Sequence, residues 1–231
     1  MGIFKIILLQ PIFNVLVFLY NTVAFHDLGV AIIALTLLLK IIFYPLNRRA
    51  IVSQKALQKI QPKIEELKEK YKDDREKLGS EMMALYKREK INPFSSCLPL
   101  LIQLPILIAV YQVFIQGLNG MNLDLLYPGI ANPGSLNQTA FGFFDLSVRS
   151  IPLAVLAGLA QYWQTKMLMN KREKKGSMAS MMNKQMLYMM PVITIVIGSS
   201  FPAGLTLYWF ATTFFSALQQ LWMFRGQPKS E

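Results

Sequence analysis

Apolar residues gather into six runs, approximately 3–25, 28–46, 98–116, 150–168, 186–200 and 203–223. A membrane-spanning helix needs about 20 such residues, so the last five runs predict spans, most of them on the short side. Phe201 and Pro202 alone separate the fifth run from the sixth, a step suited to a tight turn between antiparallel helices. In the first run Gln10, Asn14 and Asn21 are spaced by four and seven, a narrow polar stripe on an apolar helix. Pro11 is expected to disturb its first turns. Such a helix fits either the outer membrane interface or a sixth span, and the pattern leaves both open.

Residues 48–92 read as a separate unit. Ala56, Ile60, Ile64, Leu67 and Tyr71 recur every three or four residues, as do Leu78, Met82 and Leu85. Asp73 or Asp74 is placed to cap the second of two helices, and Pro62 suits the first turn of a helix ending near Tyr71. The pattern predicts an antiparallel helical hairpin with a thin apolar seam; the bland alternative is a solvated, salt-bridged linker.

Composition sharpens this picture. Hydrophobic residues make up 53% of the 231 and charged residues 16%, yet the net charge is +11. Apolar and basic together fit a membrane protein or a nucleic-acid binder, and the placement of the charges decides. Residues 48–90 hold thirteen Lys and Arg, 117–148 none, and 166–184 six. That alternation puts the first and third segments, with the C-terminal tail, in the cytoplasm.

The expected fold is an all-α integral membrane protein. Its segments are an N-terminal piece at 1–27, spans at 28–47, 95–117, 149–168, 186–200 and 203–224, and the cytoplasmic hairpin at 48–92. An extracytoplasmic loop at 118–148, rich in Gly, Pro and Asn, reads as irregular, with Asp124 and Asp145 solvated. A cytoplasmic loop at 169–185 and a tail at 225–231 complete it. No cleavage site follows the first run, so the N-terminus is expected to be retained.

Little here suggests catalysis. No nucleotide-binding loop, nucleophile elbow or paired-histidine motif occurs, and none of the five spans carries Asp or Glu. His26, the only histidine, is expected to flank the first run, and Cys97 reads as a small buried hydrophobe. No cofactor or metal is expected.

One residue stands out. "LTLLLKIIFYPL" at 35–46 places Lys40 inside an apolar run, where a charge costs a few kcal/mol. It lies about seven residues from the cytoplasmic border, roughly 10 Å at 1.5 Å per residue. Gln103, Gln161, Thr194 and Ser216 fall at similar depth on the other spans, and Thr36 lies one turn deeper on the face of Lys40. Together they predict a hydrated pocket in the cytoplasmic half of the membrane. The alternative is a structural lysine satisfied by a carbonyl or by snorkelling. A lone cation in low dielectric attracts an anion, a lipid headgroup or an acidic stretch of another polypeptide. Eight of thirteen methionines fall in 167–190, fit either for adaptable apolar contact or for gap-filling. Tyr208 and Trp209 sit where an aromatic belt is the default explanation.

Residues 44–106 resemble the YidC/Oxa1/Alb3 membrane protein insertases. The specific matches are Gln-Pro-Lys at 61–63, "EMMALYK" at 81–87 with Met82 and Met83, and the pattern from Asn92 to Pro105. "QTKM" at 164–167, headed by Gln164, and "FPAGLTLYW" at 201–209 extend the likeness over roughly 28–225. It resembles the short bacterial form without a large periplasmic domain.

The resemblance implies five core spans, an outside N-terminus with an interfacial helix, the cytoplasmic hairpin, and a positively charged groove open to cytoplasm and lipid. Lys40 stands where the family usually has arginine, keeping the charge but losing the planar two-pronged donor. Ser95 and Ser96 stand where glycines are more usual. The resemblance also implies that Tyr208 and Trp209 lie on a surface along which client helices slide. The expected partners are nascent membrane proteins, the ribosome and lipid, with the Sec translocon and signal recognition machinery as further candidates. A monomer suffices, in a bacterial inner membrane. Rival readings are an anion channel or small-solute transporter using Lys40, a lipid-modifying enzyme, and a scaffold. A transporter calls for a midplane site and internal repeats, and no repeat is visible. The enzyme lacks a nucleophile or base.

Overall fold

The computed structural model describes residues 2–96, 98–118, 125–169 and 178–225. Expectations for Cys97, Asp124, Lys171, Arg172, Lys174, Lys175 and Lys229 lie outside them. The first helix runs from Gly2 to Thr22 as α1 (Gly2–Phe4), a π-helical turn (Lys5–Leu9) and α2 (Gln10–Thr22). The wide turn lies directly ahead of Pro11, which has no N–H to continue the α-ladder. Among the described residues this is the one single helix long and apolar enough to cross a membrane by length and composition.

Two residues of its polar stripe, Asn14 and Asn21, bond the loop ahead of Ile151. Asn14 is 2% exposed; its Nδ2 donates to Leu125 O at 2.6 Å and its Oδ1 accepts from Tyr127 N at 2.7 Å. Asn21 Nδ2 donates to Ala131 O at 2.7 Å. The stripe therefore docks a loop, which removes the headgroup-facing reason for it at these two positions. His26, with φ of 62°, lies in the turn after α2 and meets the Tyr20 ring edge-on at 5.3 Å.

Helix α3 (Leu28–Ile42) starts at Asp27, whose carboxylate accepts from Val30 N. It ends where the expected span at 28–47 does not: Pro45 offers no N–H to the Ile41 carbonyl, Phe43 leaves helical geometry, and the chain bends by 70°. Helix α4 (Tyr44–Lys70) then continues without interruption, so Pro62 stands in its interior rather than in a first turn. Asp74, not Asp73, caps α5 (Arg75–Arg88) by accepting from Lys77 N at 3.0 Å. Ile60, Ile64 and Leu85 are buried between α4 and α5, flanked by Leu57, Leu67, Met82 and Tyr86. Met83 lies off this seam, half exposed.

After a short 3-10 turn (Pro93–Ser96) come α6 (Leu98–Leu118), α7 (Ile151–Met167), α8 (Met178–Gly198) and α9 (Ala203–Arg225). The apolar run at 186–200 is short, but α8 begins eight residues earlier and spans about 30 Å. Helix α7 packs against both α8 and α9, and α3 against α9 and α2. Among its described residues, the loop before α7 holds an antiparallel ribbon, β1 (Thr139–Ala140) with β2 (Phe144–Asp145). Ala140 lies on α3 so closely that a Cβ on Gly29 would overlap it. Gly204 N and Ala203 N donate to Leu146 O and Val148 O, joining the loop to the start of α9.

One apolar core fills this loop end of the molecule. It contains Phe13, Leu16 and Val17 of α2, Leu28, Ile32 and Leu35 of α3, Val110 and Phe114 of α6, Leu205 and Tyr208 of α9, and Leu146 of the loop. Toward the hairpin end the core gives way to a cavity.

Candidate functional site

The cavity encloses about 540 Å³ and lies where the C-terminal turns of α3 and the first turns of α4 face α6, α7 and α9. Its wall follows from helical spacing. On α3, Thr36 and Lys40 are four apart; on α4, Asn47, Ile51 and Gln54 share one face; on α9, Tyr208, Thr212, Ser216 and Gln220 form a ridge of fours. Gln103 enters from α6, and Gln161 and Gln164 from α7.

The polar groups hold one another in place. Lys40 Nζ donates to Ser216 Oγ at 2.5 Å, and Ser216 Oγ donates to Thr212 O at 2.8 Å. Gln103 Nε2 donates to Tyr208 Oη at 2.9 Å, closing the inner end beside the core. Thr36 is 1% exposed and donates to Ile32 O at 2.7 Å. Gln161 Nε2 reaches Thr165 Oγ1 at 3.4 Å. Lys40 is the one charged group among the described lining residues, and its bond goes to a neutral hydroxyl. The interior therefore carries uncompensated positive charge, which lowers the energy of an anionic guest.

Thr36, Lys40, Gln103, Gln161, Gln164 and Ser216 thus share one cavity. Thr194 does not line it: its hydroxyl donates to Met190 O at 2.9 Å within α8. A measurement of depth along each helix cannot see the rotational phase that excludes it. Tyr208, 2% exposed, lies inside the protein rather than in an outer aromatic belt, and Trp209 also borders the cavity. Of the methionine-rich segment, Met186 reaches the wall, while Met181, Met189 and Met190 are exposed on α8.

Asn47, Gln54, Thr212, Thr213, Gln219 and Gln220 also line the cavity, and sequence reasoning missed them. Counting fours along α9 from Ser216 would have found Thr212 and Gln220. Asn47 and Gln54 follow Lys40 at intervals of seven, but the bend at Phe43 that turns them onto the cavity is not legible from spacing.

The chain is mostly helical, and its cavity has a wall of apolar and polar side chains with one lysine among the described lining residues. A model of the 60Kd inner membrane protein family matches residues 18–230, and the chain belongs to that family. It is 34% identical over 217 residues to the membrane protein insertase YidC of Syntrophobacter fumaroxidans, covering 94% of this chain and 37% of that protein. It is 39% identical over 196 residues to the membrane protein insertase YidC of Francisella tularensis subsp. novicida, covering 83% and 31%. The chain thus spans 31–37% of the length of these relatives. A crystal structure of an active YidC insertase with its first transmembrane domain resolved shares the fold. The TM-score is 0.61 at 23% identity, over 98% of this chain and 46% of that one.

Proposed function

We propose that this chain is a membrane protein insertase and chaperone of a bacterial inner membrane. The observation that carries the reading is Lys40 on the wall of a 540 Å³ cavity whose described lining includes no carboxylate. The protein spans the membrane with α3, α6, α7, α8 and α9, the α4–α5 hairpin in the cytoplasm and the 118–148 loop outside. The distribution of Lys and Arg supports that orientation.

Clients delivered by the ribosome meet the hairpin. An acidic tail or short hydrophilic segment enters the cavity toward Lys40, which shortens the apolar distance left to cross. The client's apolar segment then partitions into lipid beside α7 and α9, near Trp209. Burial of about 20 apolar residues, at about 25 cal/mol per Å², drives release without ATP. A monomer carries out the cycle, alone or beside the Sec translocon.

The test is reconstitution of the chain alone into liposomes with a photoreactive probe at Trp209. A single-span client should insert without nucleotide and crosslink to the probe while in transit. A client that inserts only with ATP or an added translocon would contradict the reading.

A further inference from the structure

The hairpin side of the cavity, beyond Lys40, is lined by carboxamides. Asn47 and Gln54 of α4 and Gln219 and Gln220 of α9 all line the cavity, each further toward the hairpin end of its helix than the Lys40–Ser216 pair. Gln220 is 3% exposed, and its Oε1 has no hydrogen-bond partner; Gln219 Nε2 is likewise buried without one. One is an acceptor and the other a donor. Buried polar atoms are normally paired, and two orphans of opposite kind on adjacent residues mark a place where something else supplies the partners.

Resting on the insertase reading, we propose that these amides bind the main chain of an extended client segment, whatever its side chains. A peptide unit offers one N–H donor and one C=O acceptor. Gln220 Oε1 accepts from a client N–H and Gln219 Nε2 donates to a client C=O. A side-chain amide is neutral and carries both functions, so it serves acidic and basic segments alike. A carboxylate or ammonium there would select by charge, which is the part Lys40 plays further in. The need is physical: an extended segment leaving water loses hydration at every peptide group and has no helix to satisfy them. A cluster of amides supplies partners before the segment reaches the apolar wall.

The test changes the client's backbone and leaves the protein intact. A single amide-to-ester replacement in the hydrophilic tail removes one N–H and keeps the side chain. Scanned along the tail, it should slow insertion into proteoliposomes by about five- to tenfold at one or two positions, the size of one hydrogen bond. With Gln220→Met the all-amide client should slow by a similar factor, and the ester should then add nothing further. Equal rates for ester and amide at all positions, or additive losses in Gln220→Met, would overturn the inference and leave insertion itself standing. No insertion of the all-amide client by the unaltered protein would remove the insertase reading and this inference with it.

Discussion

Gln103 Nε2 donates to Tyr208 Oη at 2.9 Å, tying α6 to α9 where the cavity meets the apolar core. The pair marks the inner limit of the polar wall, since Tyr208 is 2% exposed and its ring belongs to the core. Tyr208→Phe leaves the Gln103 amide short of a partner and should cost about 1 kcal/mol. Gln103→Leu combined with Tyr208→Phe should cost less than the sum of the two single changes. Thermal unfolding in detergent across the four proteins measures the coupling.

The contact between α7 and α8 depends on a missing side chain. A Cβ on Gly158 would overlap Ile195 and come within 3.0 Å of Pro191 O. Gly79, inside α5, has nothing within 4 Å of the same position. Gly158→Ala should therefore destabilise by about 1–3 kcal/mol, whereas Gly79→Ala should stabilise by about 0.5–1 kcal/mol. Opposite shifts in Tm check both.

Asn14→Leu should release the loop that the N-terminal helix holds. The change removes the partners of Leu125 O and Tyr127 N together, costing about 2 kcal/mol or more. Limited proteolysis should cut the variant within 125–138 well before the parent protein.

The hairpin carries a pH-dependent clasp. Lys63 Nζ lies 2.6 Å from Glu89 Oε1, and this hydrogen bond, aided by the nearby Lys63 and Arg88 charges, holds the Glu89 carboxyl below its usual range. A folded-state value below the unfolded one means that the contribution is present above about pH 4.3 and fades as pH falls through the folded value. Hydrogen exchange in α5 should quicken on acidification, less so in Glu89→Gln, and high salt should shrink the difference because both groups touch solvent.

How far the sequence could be read depended on the kind of signal. Periodicity located the hairpin seam, since Ile60, Ile64 and Leu85 recur at helical spacing and are buried together. Six of the seven expected groove residues share the cavity because a polar residue in an apolar run has few places to go. Thr194 lies off the cavity wall, because depth along a helix carries no rotational phase. The bend at Phe43 leaves no mark in the hydrophobic pattern, because the apolar run continues through Pro45. The role of Asn14 is not legible from spacing because its partners, Leu125 O and Tyr127 N, are backbone atoms more than a hundred residues away. Long-range main-chain pairing leaves no periodic trace.

The most direct measurement of the central claim is insertion of a single-span client with an acidic tail by Lys40, Lys40→Arg, Lys40→Gln and Lys40→Glu forms in proteoliposomes. Lys40 is bonded only to the neutral Ser216 hydroxyl in the described structure, so its charge is free to act on a guest. Arginine should retain insertion, glutamine should lower it severalfold and glutamate further, with the difference vanishing when the client's acidic residues are neutralised. Equal insertion by all four would contradict the account and leave Lys40 a structural polar residue.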